Sequence, residues 1–187
     1  FGPVPQSILF YRSLTQWLGG MGLVVLAVAV LPALGIGGLD LIASEAPGPT
    51  ADRLSLKVRD TARRLWLLYG AATCILAIVL FLVGMSVFDA VTHAFTTIAT
   101  GGYSPHAESI AYFDSFVVEL VVIAGMLFAG ANFSMHWRAL SDGIRAYGSV
   151  SETRWYVSLI AGACVILILV NHGELEWSQN FRESLFY

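Results

Sequence analysis

Between two long uncharged apolar spans lies Asp89-Ala90-Val91-Thr92-His93-Ala94-Phe95-Thr96-Thr97-Ile98-Ala99-Thr100-Gly101-Gly102-Tyr103-Ser104-Pro105, too short and too rich in hydroxyls to be a third span of the same kind. Asp89 to Ala99 reads as a helix, opened by an N-capping Asp and closed by the Gly101-Gly102 pair. A bilayer core needs about twenty helical residues, and this helix supplies about eleven. The stretch therefore predicts a re-entrant half-helix: the chain enters the membrane and turns back. Irregular backbone at that depth is tolerated only where it is buried in protein or lines a watery cavity, so Thr100 to Ser104 needs a reason to be there. A cation is one such reason. The half-helix aims its partially negative C-terminus at the loop, and carbonyls exposed by glycines can replace an ion's water shell.

The rest of the composition fits that setting. Hydrophobic residues make up 57% of the chain and charged residues 12%, with a mean hydropathy of +0.72, against about 25% charged in a soluble domain. The chain is an integral membrane protein. Cys74 and Cys164 both fall within apolar spans and read as small buried hydrophobes, with neither a disulfide nor a metal site indicated. A start at Phe1 without a signal-like region and an end at Tyr187 read as an internal piece of a longer protein.

In chain order, residues 1–39 hold an approach broken by Pro3 and Pro5, an interfacial aromatic belt of Phe10, Tyr11 and Trp17 edged by Arg12, and a crossing helix free of charge from Leu14 to Leu39. Gly19, Gly20 and Gly22 offer close approach to another helix or loop, and Pro32 is expected to kink or end the helix. Residues 40–64 form a polar loop and a helical approach. Residues 65–137 hold a crossing at 65–88 headed by Trp66 and Tyr69, the half-helix at 89–99, the loop at 99–104, and a further crossing at 116–137 with Gly125 and Ala129 on one small-residue face. A charged loop at 138–154 leads to a crossing from Trp155 to Val170, and 181–187 reads as the start of a second half-helix. This gives about four full crossings and one re-entrant half-helix, an all-α fold.

The cations orient it. Of ten Lys and Arg residues, eight fall in 40–64 and 138–154, leaving Arg12 and Arg182 on the other side, so the positive-inside rule makes both loops cytoplasmic and opens the Gly101-Gly102 loop outward.

In the loop, Gly101 and Gly102 allow dihedrals that turn successive carbonyls one way, and Thr97 and Thr100 can brace it. Glu119, one turn inside a span, suits either a structural hydrogen bond or cation attraction, and His93 reads as a hydrogen-bonded packing residue. Asn132 and His136, at i and i+4, share a helix face that would also suit a metal or haem, although no second ligand pair accompanies them. An intramembrane enzyme would need a nucleophile and base, paired aspartates or a metal set; neither a His-Glu-x-x-His helix nor two facing aspartates is present. A non-catalytic membrane scaffold is the remaining alternative to cation permeation, and it places no demand on Gly101. The basic residues Arg53 to Arg64 are a topology signal and a surface for a cytoplasmic partner or anionic lipid.

Trp17-Leu18-Gly19-Gly20-Met21-Gly22, Glu45-Ala46-Pro47-Gly48-Pro49, Phe88-Asp89-Ala90 through His93-Ala94-Phe95, Ala99-Thr100-Gly101-Gly102-Tyr103-Ser104 and Gly130-Ala131-Asn132-Phe133-Ser134-Met135-His136 follow one another along almost the whole chain. In these motifs the chain resembles the Trk/Ktr superfamily of potassium transporters, and within it the TrkH type. The resemblance implies repeated units of helix, pore half-helix and helix around one ion pore, each unit giving a filter loop. This chain would hold the last helix of the first unit, all of the second (65–137), and the opening of the third (155–187). It implies potassium-binding carbonyls at Ala99, Thr100, Gly101 and Gly102, with Gly101 the key glycine and Thr97, Tyr103 and Ser104 as filter support. Further implications are potassium uptake across the bacterial plasma membrane, no cofactor beyond the transported ion, a second copy as partner and a nucleotide-binding cytoplasmic ring of the TrkA type. No nucleic-acid partner is expected.

Overall fold

The computed structural model describes residues 4–33, 50–149 and 151–170, and every regular element among them is a helix. In chain order these are α1 (Gln6–Ala33), α2 (Thr50–Leu82), α3 (Val87–Ile98), a 3-10 turn (Ser109–Phe113), α4 (Phe116–Gly130), α5 (Phe133–Asp142), α6 (Ala146–Ser149) and α7 (Ser151–Val170). The expected loop around Glu45–Pro49, the far end of the first crossing and the second half-helix at 181–187 lie outside the described residues. Among the described residues, Asp60–Leu82 and Ser151–Val170 are each long and apolar enough to cross a bilayer, and α4 with α5 would make a third span but for a bend of 94°. The chain forms two compact units, Phe1–Asp114 and Ser115–Tyr187.

In the first unit α1, α2 and α3 pack on one another. The expected aromatic belt divides between surface and core. Tyr11 and Trp66 are exposed, but Tyr69 is only 1% exposed and Trp17 packs within the three-helix contact, its ring 5.3 Å from Tyr69 and 5.4 Å from Phe95. Polar tips buried with such rings need partners. The Tyr69 hydroxyl donates to the Trp17 carbonyl (2.9 Å), Trp17 Nε1 donates to Thr73 Oγ1 (3.0 Å), and Thr73 Oγ1 donates to the Tyr69 carbonyl (2.7 Å). Trp17, Tyr69 and Thr73 thus bond α1 to α2 in the interior. Cys74, expected to be buried, is exposed on α2, and Cys164 on α7 is half-buried.

The crossing expected to continue to residue 88 stops at Leu82. Gly84, at φ 110°, takes the left-handed position, and Gly84 N–H and Met85 N–H bond back to Phe81 and Leu80 carbonyls (both 3.1 Å), the paired bonds that close a helix end. Ser86 then caps α3, so the half-helix begins at Val87 and its N-cap is Ser86, not Asp89.

In the second unit, the helix expected over 116–137 is broken at Ala131-Asn132. The broken end of α4 leaves carbonyls that need donors, and side chains from later elements supply them. Tyr156 Oη donates to the Leu127 carbonyl (3.1 Å), and His136 Nε2 donates to the Phe128 carbonyl (2.8 Å), which also accepts the Ala131 N–H (3.3 Å). A carbonyl can only accept, which puts the proton on His136 Nε2; Nδ1 then accepts from the Tyr147 hydroxyl (2.6 Å), while the ring stacks on Phe128 at 3.9 Å. Gly130 makes room, since a Cβ there would lie 2.5 Å from Tyr156 Oη. Asn132 is the N-cap of α5, accepting from Ser134 N–H at 2.9 Å, so it does not share a helix face with His136, and protein groups occupy both nitrogens of that ring. α7 buries no residue, leaving its apolar surface open for lipid or other protein.

His136→Ala in the full-length protein is expected to cost about 2 kcal/mol by removing a buried hydrogen bond and the ring stack. Gly130→Val is expected to melt at lower temperature than wild type because it expels Tyr156 from the Leu127 carbonyl. Thermal unfolding in detergent checks both.

Candidate functional site: the loop at the end of the half-helix

α3 is a short helix whose hydroxyl-bearing residues are buried, and its own backbone absorbs them. Thr92 Oγ1 donates to the carbonyls of Phe88 (2.8 Å) and Asp89 (3.1 Å), and Thr96 Oγ1 to those of Thr92 and His93 (both 3.2 Å). At the N-terminus, Ser86 Oγ accepts the Asp89 N–H (3.1 Å) and donates to Asp89 Oδ2 (2.7 Å). The Asp89 carboxylate thus sits at the partially positive end of the helix, where it is favourable.

The C-terminus points into the loop and is closed by its own residues. Thr100 N–H bonds the Thr97 carbonyl (3.0 Å) and Gly101 N–H the Thr96 carbonyl (2.7 Å), the same pair of closing bonds as at the end of α2. The left-handed residue that this closure requires is Thr100 (φ 53°), not a glycine as expected. A β-branched side chain there is strained, a condition that persists only where the surroundings hold it. Gly102 is also left-handed (φ 72°), whereas Gly101 is not. The Ala99 carbonyl accepts the Thr100 hydroxyl (2.7 Å), while among the described residues no group donates to the carbonyls of Thr100, Gly101 or Gly102.

After Gly102 the chain doubles back along the half-helix. His93 Nδ1 donates to the Asp89 carbonyl (2.8 Å), which leaves Nε2 to accept the Ser104 hydroxyl (3.0 Å); Ser104 Oγ in turn accepts the His106 N–H (3.1 Å). One turn further back, His106 Nε2 donates to Asp89 Oδ1 (2.8 Å), its ring stacked on Tyr112 at 3.7 Å. Residue 104 thus lies beside 93, and 106 beside 89: the chain leaves on the side from which it entered.

α1 grips the loop from another direction. Arg12 Nη2 donates to the Ser104 carbonyl (2.6 Å), and its guanidinium lies 5.4 Å from the centroid of the Tyr103 ring. Gly20 lets α1 reach the top of α3: a Cβ there would stand 3.1 Å from Ala99 Cα. Of the residues expected at the site, Ala99, Thr100, Gly101 and Gly102 form the loop itself. Thr97 is buried and holds Thr100 through its carbonyl, Tyr103 is exposed beside Arg12, and Ser104 joins loop, half-helix and α1. Glu119 belongs to the second unit, buried in the first turn of α4. Arg12, Asp89 and His106 enter the site without having been expected there. Arg12, Gln16 and Gly20 are spaced by four, a sign, beside the close approach expected at Gly19, Gly20 and Gly22, that a face of α1 meets the loop.

A buried half-helix whose chain turns back between apolar helices defines a helical membrane protein of the re-entrant-loop class. Within that class the chain belongs to the TrkH family: the family model described as a cation transport protein matches residues 2–178. The Trk system potassium uptake protein TrkH of Vibrio parahaemolyticus is 40% identical over 98% of this chain and 39% of its own length. That of Escherichia coli K12 is 42% identical over 89% of this chain and 35% of its own. The crystal structure of the potassium transporter TrkH from Vibrio parahaemolyticus superposes with a TM-score of 0.82 at 35% identity, over 98% of this chain and 37% of that one. The chain therefore spans well under half of the relatives it matches.

Ser104→Ala in the full-length protein is expected to lose about 1–2 kcal/mol, since it frees His93 Nε2 and the His106 N–H together. Gly20→Val is expected to lower the unfolding temperature more than Gly19→Val, because a Cβ at 19 meets nothing within 4 Å. Equal losses at 19 and 20 would show that the contact with Ala99 carries no weight.

Proposed function

We propose that the full-length protein takes up potassium across the bacterial plasma membrane, and that the carbonyls of Ala99, Thr100, Gly101 and Gly102 form one wall of its selectivity filter. One observation carries this reading: the carbonyls of Thr100, Gly101 and Gly102 accept no hydrogen bond among the described residues, although they end a buried half-helix. Unpaired carbonyls are costly at membrane depth unless water or an ion satisfies them, and the negative end of the α3 dipole favours a cation. Several weak carbonyl contacts can replace hydration while still allowing release. Its relatives in Vibrio parahaemolyticus and Escherichia coli are potassium uptake proteins, which points to the same ion.

In this reading Thr97, Tyr103 and Ser104 support the filter, potassium is the transported substrate, and no resident cofactor takes part. Residues 40–64 and 138–154 face the cytoplasm, where the cations from Arg53 to Arg64 offer a basic surface to anionic lipid and to a nucleotide-binding ring of the TrkA type. The transporter works as a homodimer in the membrane.

Rubidium uptake into liposomes holding the full-length protein, with sodium competing, tests the filter. Gly101→Ser and Gly102→Ser are each expected to slow uptake about tenfold, equivalent to about 1.4 kcal/mol of barrier, or to let sodium compete. Unchanged selective uptake in both folded variants would sink the filter reading and favour a membrane scaffold.

A further inference from the structure

Arg12, Gln16 and Gly20 lie on one stripe of α1, and each meets a different part of the loop. Gly20 packs on Ala99, Gln16 on Gly101, and Arg12 on Tyr103 and Ser104, so the stripe runs antiparallel to the loop from 99 to 104. At its centre the Gln16 carboxamide fills the space that a side chain at 101 would occupy. A Cβ on Gly101 would lie 2.8 Å from Gln16 Oε1, closer than real Cβ atoms come to their neighbours, and a tight 3.0 Å from Cδ. Gln16 Oε1 is buried with no hydrogen-bond partner, so packing and not a bond to that oxygen holds it against the loop.

A side chain at either glycine would be resisted for a different reason. Gly102 has a left-handed φ of 72° and open space where a Cβ would go, so any L-residue there is strained by its own backbone. Gly101 has no such φ; a side chain there meets the end of the Gln16 side chain, which must shift to admit it.

We propose that Gln16 is a positioning residue of the ion path: it backs the loop at Gly101 and sets how far the 100–102 carbonyls stand from α1. It takes this role only if residues 99–102 line the path, as proposed above. Gln16 does not touch the ion; it acts through the backbone of Gly101.

The test is a double-mutant cycle in the full-length protein in liposomes, reading rubidium uptake and its inhibition by sodium, with size-exclusion profiles confirming folded protein. Gly101→Ala is expected to lower uptake about tenfold, within the coupling range of contacting residues, and adding Gln16→Ala to restore at least half of the loss. Gln16→Ala alone is expected to let sodium compete about threefold better, because the loop loses its backing. Gly102→Ala is expected to lower uptake too, with no recovery on adding Gln16→Ala. Gln16→Ser, which also removes the amide, replaces Gln16→Ala if the latter does not fold. A Gly101→Ala defect of the same size with and without Gln16 would overturn the assignment and leave the filter reading standing. Wild-type uptake and selectivity in both glycine variants would overturn the filter reading and the role of Gln16 with it.

Discussion

In a bilayer every backbone N–H and C=O must find a partner inside the protein, and this one requirement organises the described helices. Among the described residues, several helix ends are closed by specific devices. Gly84 turns the end of α2, Ser86 opens α3, Thr100 and Gly101 close it, and Asn132 opens α5. Where α4 breaks, Tyr156 and His136 reach back to its terminal carbonyls. Beside these closures, the carbonyls of Thr100, Gly101 and Gly102 accept no hydrogen bond among the described residues, and their exposure gives the loop its chemical meaning.

A loop with open carbonyls must be held by its flanks, because it cannot be held by bonds to the carbonyls themselves. Asp89, His93, Ser104 and His106 tie the returning strand of chain to the half-helix, while Arg12 and Gly20 bring α1 against both ends of the loop. The strain of Thr100 at φ 53° persists because these contacts over-determine its neighbours. The site is thus a small rigid frame around a segment whose polar atoms are left open.

Much of this was legible in the sequence. Charge-free runs gave the apolar helices, and the short hydroxyl-rich stretch ending in Gly101-Gly102 gave the half-helix and its loop. The motifs spread along the chain pointed to the right family. What was not legible depended on contacts distant in sequence. Arg12 and Trp17 read as belt residues because nothing local shows that one grips Ser104 and the other packs at a tilt against Phe95. The break after Gly130 hid inside an apolar run, since Ala131-Asn132 is a weak signal until His136 and Tyr156 are seen to cover the exposed carbonyls. Ser86 and Asp89 are both good caps, and only their mutual hydrogen bonds decide between them. Gly84, by contrast, was an overlooked local sign that the crossing helix ends early.

The contacts around the loop fall into two classes of sequence distance, with a consequence for how the protein is made. His93 to Ser104 and His106 to Asp89 span 11 and 17 residues, whereas Arg12 to Ser104 spans 92. Closing a short loop costs less chain entropy than closing a long one, so the half-helix and its return can associate as soon as both have emerged from the ribosome. By then α1 has long been synthesised and is available as a template. The loop's final shape is therefore set by docking onto an older neighbour, and a half-helix made without α1 would have its local clasp but no surface to fix the depth of its open carbonyls.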